Sequence, residues 1–154
     1  MQNIEERALD GANPSSVAHA RQYLESNGES VDHPAVGSLI LLYTTGRVSG
    51  EIRRTPLRFF ELDDALLVAG SYRGSDQHPD WYLNLVDGPE VWVRRDADLF
   101  RARAVLVDPS ERDRLWETVV VTRAPQFADY QAGTERTIPL VRLVPDSGPG
   151  DAQL

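Results

Sequence analysis

The 154-residue chain contains no cysteine and no lysine. Without thiols it has no disulfide, no thiolate nucleophile, no iron–sulfur cluster and no Cys-based zinc site. Without lysine the phosphate loop GxxxxGK[ST] cannot be built, and no GxSxG nucleophile elbow occurs either. Histidine is scarce: His19, His33 and His78 lie on separate segments, with no i,i+4 pair and no HExxH, so no metal site is expected. No run approaches 18 consecutive apolar residues, and residues 1–10 are polar and acidic, so neither a membrane-spanning helix nor a signal peptide is expected. Positive charge is short as well, with 16 arginines against 24 acidic residues and a net charge of −8. A phosphate backbone demands a basic face, so nucleic acid is not an expected partner. The expected location is cytoplasmic.

What is present is the composition of a globular domain, 41% hydrophobic and 26% charged. A chain of this length buries roughly 68–70% of its unfolded surface and needs no covalent staple. Residues 1–12 read as a flexible lead, 13–145 as one domain, and 146–154, rich in Gly, Pro, Asp and Ser, as a disordered tail. Asn13-Pro14 reads as a helix start, followed by Val17, Ala20, Tyr23 and Leu24 at helical spacing and an Asn27-Gly28 stop. Ser38 to Tyr43 is a near-continuous apolar run, the pattern of a strand buried on both faces. Thr44 to Gly50 is a turn. Arg54 to Leu62 and Ala65 to Ala69 form a hairpin across Asp63-Asp64. Pro79 opens a short helix carrying Trp81, Tyr82, Leu85 and Val86, which Gly88-Pro89 ends. Val91 to Arg94 pairs with Leu99 to Val107. Asp108 caps a helix in which Glu111 is placed to reach back to the cap, and Leu115, Trp116, Val119 and Val120 form its buried stripe. Ile138 to Val144 is a last strand, whose Pro139 points to an edge or a bulge. About six strands at hairpin spacing and about three inserted helices predict an α+β fold with an antiparallel sheet closed into a small barrel.

Three segments could carry chemistry. Arg47, Arg53, Arg54 and Arg58 face one acid, Glu51, beside a Gly/Ser/Thr turn, a setting for a phosphate or carboxylate. A strand nevertheless places alternate residues on opposite faces, so the four arginines need not converge. In the second segment, Ser71 to Tyr82, a glycine- and hydroxyl-rich loop leads into a helix N-terminus, another anion seat. There the plainer reading has His78 capping the helix and Trp81 in the core. The third is the pair Phe127 and Tyr130, an aromatic wall over a flat ligand or simply core.

Four motifs occur in order: TTGR-x-SG-xx-R-xx-PL (Thr44 to Leu57), S-xx-G-xxx-HP-x-WY-x-NL (Ser71 to Leu85), ER-x-RLW (Glu111 to Trp116) and P-xxxx-YQ-xx-T-x-R-x-IP (Pro125 to Pro139). Together they resemble the deazaflavin-dependent nitroreductase family of actinobacteria, over about residues 13–145. The resemblance implies a split β-barrel and coenzyme F-420, an 8-hydroxy-5-deazaflavin, with flavin mononucleotide as the alternative that other split barrels bind. It implies hydride transfer to a small or medium-sized hydrophobic acceptor: an enone, a quinone or a nitro compound. By matched position, Arg47, Ser49 and Arg53 would hold the anionic tail of the coenzyme. Gly70, Ser71, Gly74 and the Pro79–Trp81 helix start would hold its ring. Pro56, Arg73 and His78 complete the coenzyme-binding set, and Ser71 and Tyr130 are the candidates for catalysis. Three positions depart from the family pattern: Val48 stands where a basic residue is usual, Tyr72-Arg73-Gly74 replaces Lys-Gly-Gly, and Phe127 replaces a tyrosine. They motivate an alternative, a family member that has lost the coenzyme and acts as a ligand-binding protein or a cofactor-free biosynthetic enzyme. A monomer or a homodimer is expected.

Overall fold

In a computed structural model of the chain, the described residues are 4–10, 18, 20, 21, 24, 25 and 39–146. The apolar run of the first predicted strand becomes β2 (Leu39–Thr45), in which residues 39–44 are all buried. Alternation explains how both faces are covered. Ile40 and Leu42 enter one hydrophobic cluster, while Leu39, Leu41 and Tyr43 enter another with Ile4 and Ala20. The other strands are β1 (Leu9–Asp10), β3 (Ile52–Arg58), β4 (Phe60–Glu61), β5 (Leu66–Ala69), β6 (Glu90–Arg95), β7 (Asp98–Leu106) and β8 (Leu140–Pro145). Their order is β1-β3-β2-β6-β7-β8-β5-β4, antiparallel throughout except for the β1–β3 pair. Strand β4 ends that order and β3 stands next to the other end, beside β1, yet only Phe59 separates β3 from β4 in the chain. The sheet therefore curls until its ends meet, which makes it a barrel.

Among the described residues the strand count is eight rather than about six. The predicted strand Arg54–Leu62 breaks at Phe59 into β3 and β4, and β1 arises within the predicted lead. Residues 4–10 are thus part of the fold: helix α1 (Ile4–Arg7) precedes β1, Ile4 is buried, and Arg54 grips Asp10 through two bonds of 2.8 and 3.0 Å. Arg94 pairs with Glu5, which also accepts from the Tyr43 hydroxyl at 3.4 Å. Burial, then the nearby Glu5 carboxylate, pushes the Tyr43 phenol up to about 12, so it stays protonated. Residues 18, 20, 21, 24 and 25 are helical as predicted. The expected cap at Asn13, the Asn27-Gly28 stop and the tail from 147 onward lie outside the described residues.

Helix α2 (Asp80–Asp87) sends Trp81 and Leu85 into the barrel interior, against Ile40, Leu42, Val91 and Val93. Val86, on the same helix, is exposed. Helix α3 (Pro109–Leu115) starts as expected, with Asp108 accepting from the Glu111 amide at 3.0 Å. The Glu111 carboxylate does not close a capping box; it pairs with Arg142 on β8. The helix then widens into a π-helical stretch (Trp116–Val120) before α4 (Val121–Arg123). This places Leu115, Trp116, Val119 and Val120 inward, as the stripe predicted. Helix α5 (Gln126–Ala132) follows. Strand β8 is central, between β7 and β5, and Pro139 lies just before it, so the expected edge or bulge is not needed. No ladder donor is lost there.

Candidate functional site

The turn between β2 and β3 is built by its glycines. The Gly46 amide donates to Glu51 O at 2.7 Å, the Gly50 amide donates to Gly46 O at 2.8 Å, and Gly50 has φ +74°. A Cβ at Gly46 would stand 2.9 Å from the Ser49 hydroxyl. Helix α2 holds this turn in place. Buried Asn84 donates to Thr44 Oγ1 and accepts from both the Arg47 amide (3.1 Å) and its guanidinium (2.8 Å). Arg47 also bridges to Asp80 at the helix start. The guanidinium stays about one-third exposed (33%), so it can still meet an anion.

Strand register then sorts the arginine cluster. Arg53 pairs across the ladder with Thr44 and so shares the face that α2 covers. Tyr43–Arg54, Leu41–Pro56 and Leu39–Arg58 pair on the opposite face. There Arg54 is taken by Asp10, and Arg58 lies over the Phe60 ring at 5.0 Å. Only Arg47 and Arg53 converge, and Pro56 is not brought to them. Arg53 makes no hydrogen bond or ion pair among the described residues, and there the Val48 and Ser49 amides donate to nothing.

The loop from Gly70 to Pro79 is organised by a residue assigned no role above. Arg136 donates from Nε to Ser75 O (2.7 Å), from Nη2 to Ser71 O (2.8 Å), and from Nη1 to Gly70 O (3.0 Å) and His78 Nδ1 (3.1 Å). Gly70 also donates its amide to Pro139 O. Within this frame a 3-10 turn (Tyr72–Gly74) forms, with Tyr72 at φ +44° and Gly74 at φ +82°. A Cβ on Gly74 would lie 2.7 Å from Tyr130 O, so only glycine lets the loop rest on α5. The His78 ring packs on Tyr82 with centroids 4.8 Å apart. Burial, then the Arg136 charge, holds the imidazole below the usual histidine range. His78 does not cap α2, whose N-terminus carries no side-chain cap bond.

The remaining motif residues form a second buried network. Arg112 donates to Ile138 O (2.9 Å) and Gln131 Oε1 (2.7 Å), with its guanidinium 4.5 Å from the Trp116 ring. Gln131 in turn accepts from the Ile138 amide and donates to Arg136 O. The segment that presents Arg136 is thereby fixed to α3 and α5. Phe127 is core: its ring meets Phe60, Trp116 and Tyr130 edge-on, at 5.6, 6.2 and 5.2 Å. Tyr130 is half-buried at the rim of this cluster, and its hydroxyl has no partner among the described residues.

Of the residues named from sequence, Arg47, Ser49 and Arg53 surround one turn, and Gly70, Ser71, Gly74, His78 and Pro79 line one loop. Helix α2 joins the two groups. Trp81 points into the barrel core, and Ser71 is tied through its carbonyl rather than its hydroxyl. Arg73 belongs to the 3-10 turn; its side chain is outside the described set. Of the three positions that depart from the family pattern, Val48 is 92% exposed, Tyr72 is 57% exposed and Phe127 lies in the core. Arg136, Asn84, Arg112 and Gln131 were missed as organising residues. All four lie within the quoted motifs, which was the available signal. An open concavity of about 510 Å³, bounded by Asp76 and residues 132–136, lies beyond Arg136 and contains none of the named coenzyme contacts.

A curled antiparallel barrel with an arginine-bearing turn and a glycine-rich loop meeting at one helix N-terminus defines the class: a split-barrel oxidoreductase. A solved F420-H2-dependent reductase superposes with a TM-score of 0.61 at 31% identity, covering 68% of this chain and 92% of that one. A structure described as a domain-swapped dimer gives 0.64 at 28% identity, covering 82% and 96%. An F420H(2)-dependent quinone reductase of Mycobacterium tuberculosis (strain H37Rv) is 34% identical over 129 residues, 81% of this chain and 86% of the relative. The family model for F420H(2)-dependent quinone reductases matches residues 16–145, and the chain belongs to that family. It is an F-420-dependent oxidoreductase. No helix among the described residues is long and apolar enough to cross a membrane.

Proposed function

We propose that the protein transfers a hydride from reduced F-420 to a hydrophobic electrophile, with quinones the favoured class and enones and nitro compounds of the same electrophilic character. The observation that carries this reading is the Arg53 guanidinium, without a partner among the described residues, near the turn that carries Arg47, Ser49 and amides that likewise donate to none of them, on the face covered by α2. This donor set suits a ligand whose tail bears phosphate and carboxylates. The bound coenzyme supplies the hydride. The chain supplies position and electrostatics. Arg47 and Arg53 orient the tail, and the Gly70–Gly74 backbone with the α2 N-terminus seats the ring. The Tyr130 hydroxyl, free to donate, stabilises negative charge developing on the acceptor oxygen.

Arg53→Ala should weaken F-420 binding by about 1.5–3 kcal/mol, the range for a hydrogen bond to a charged group. The melting temperature should stay unchanged, because Arg53 has no partner to lose among the described residues. Fluorescence titration with F-420, with flavin mononucleotide as control, reads this directly; an unaltered dissociation constant removes Arg53 from the site. Tyr130→Phe should lower kcat on a quinone by about tenfold with KM little changed, the pattern of a bond made in the transition state. Equal kcat would return Tyr130 to a packing role.

A further inference from the structure

Arginine has five N–H donors and no acceptor. In Arg136 four of them are engaged, three by the carbonyls of Gly70, Ser71 and Ser75 and one by His78 Nδ1. The contact at Nδ1 therefore has one possible polarity. Guanidinium cannot lose its proton in this setting, so Nδ1 must accept, and in a neutral ring the proton then resides on Nε2. Packing against Tyr82 fixes the ring plane, so the opposite edge projects away from Arg136. His78 has no other hydrogen bond among the described residues, which leaves Nε2–H undonated. The residue is one position before Pro79, where α2 begins and where the ring of the coenzyme is seated in the reading above.

We infer that Arg136 is a positioning residue that locks His78 as the neutral Nε2–H tautomer, making it a single uncharged hydrogen-bond donor for a carbonyl or anionic oxygen of the bound deazaflavin. The groups facing the imidazole agree with a neutral ring. Arg136 repels a second positive charge, Tyr82 offers a ring face, and the Asp76 carboxylate is occupied by Thr134 at 2.9 Å. The inference rests on the proposed F-420 site for its ligand, but the tautomer itself can be read without ligand.

The first measurement is nitrogen NMR of protein labelled in its histidine rings, with His78 assigned by the signals that vanish in His78→Gln. At neutral pH His78 should show an unprotonated Nδ1 and a fully protonated Nε2, with no averaging between tautomers. A protonated or averaged Nδ1 overturns the lock. The second compares two amides by F-420 titration at matched melting temperature. In His78→Gln the amide nitrogen can stand near Nε2 and keep the donor. In His78→Asn the amide oxygen can still accept from Arg136, but nothing reaches the Nε2 position. Asparagine should bind F-420 about tenfold more weakly than the unaltered protein, the loss of one hydrogen bond, with glutamine within about threefold. Equal affinities for the two variants would overturn the donor role while leaving the tautomer result standing. If the unaltered protein binds no F-420, the site reading fails and the donor role with it, whatever the NMR shows.

Discussion

Arg136→Ala is expected to lower the melting temperature by about 6–16 °C and to abolish measurable F-420 turnover. The guanidinium joins α5's trailing loop to Gly70, Ser71, Ser75 and His78, positions 58 to 66 residues away in sequence. Losing it leaves the Gly70 and Ser75 carbonyls and one imidazole nitrogen unpaired in a half-buried setting, while Ser71 O keeps only the Gly74 amide. Water can reach part of that space, so the cost falls short of four full charge-assisted bonds and should be about 3–4 kcal/mol. For a domain of this size each kcal/mol shifts the melting temperature by about 2–4 °C. Activity suffers more than stability because Tyr72 is held at positive φ, a conformation costing about 1–2 kcal/mol that only the anchored loop sustains. Once released, the loop relaxes and the ring seat disappears. Lysine should not rescue, since one ammonium cannot span four acceptors held by a planar fork. Thermal unfolding by circular dichroism, with amide exchange over residues 70–78, measures both parts. A drop under about 1 kcal/mol would show that the loop holds itself.

Phe127→Ala should destabilise the fold by about 3–5 kcal/mol, the range for emptying a buried aromatic site. The ring sits among three other aromatic rings, with only 7% of its surface exposed, between the π-helical stretch and β4. The restoring change Phe127→Tyr tests the same geometry from the other side. If this residue stood in the acceptor pocket, a hydroxyl there would be tolerated and would alter kcat. In the core it has no partner and should cost about 1–3 kcal/mol, with kinetic constants unchanged at temperatures where the variant is folded. Urea unfolding measures the first effect and steady-state kinetics the second. A fully stable tyrosine variant with altered kcat would place residue 127 in the pocket after all.

The two expected losses divide the molecule usefully. Phe127 supports the helical layer packed on the outer face of β5 and β8, through Leu67 and Leu140. Arg136 and Asn84 couple that layer and α2 to the Gly70–Pro79 loop and the β2–β3 turn. Stability can therefore be lowered through Phe127 without touching the loop, whereas Arg136 lowers stability and ligand seating together.

Much of this was written locally in the chain. The doubly buried strand at 39–44, the Asp63-Asp64 and Asp96 hairpins, the Asp108 cap and the stripe through Trp116 and Val120 follow from side-chain period and turn chemistry, which act over a few residues. Even the scattering of the arginines was legible in part, because strand alternation forbids four of them from converging. Which two converge was not legible: that depends on the β2–β3 register and on α2 covering one face. The break at Phe59 was likewise invisible, since barrel closure imposes it on a run that reads as one strand. The role of Arg136 was not legible for the same reason: three of its four partners are carbonyls, and carbonyls carry no sequence signature. Local propensity thus determined the elements and the family motifs named the chemistry. The faces those elements show one another, and the arginine that holds the loop, were decided by contacts between distant segments whose energies exist only once the barrel has closed.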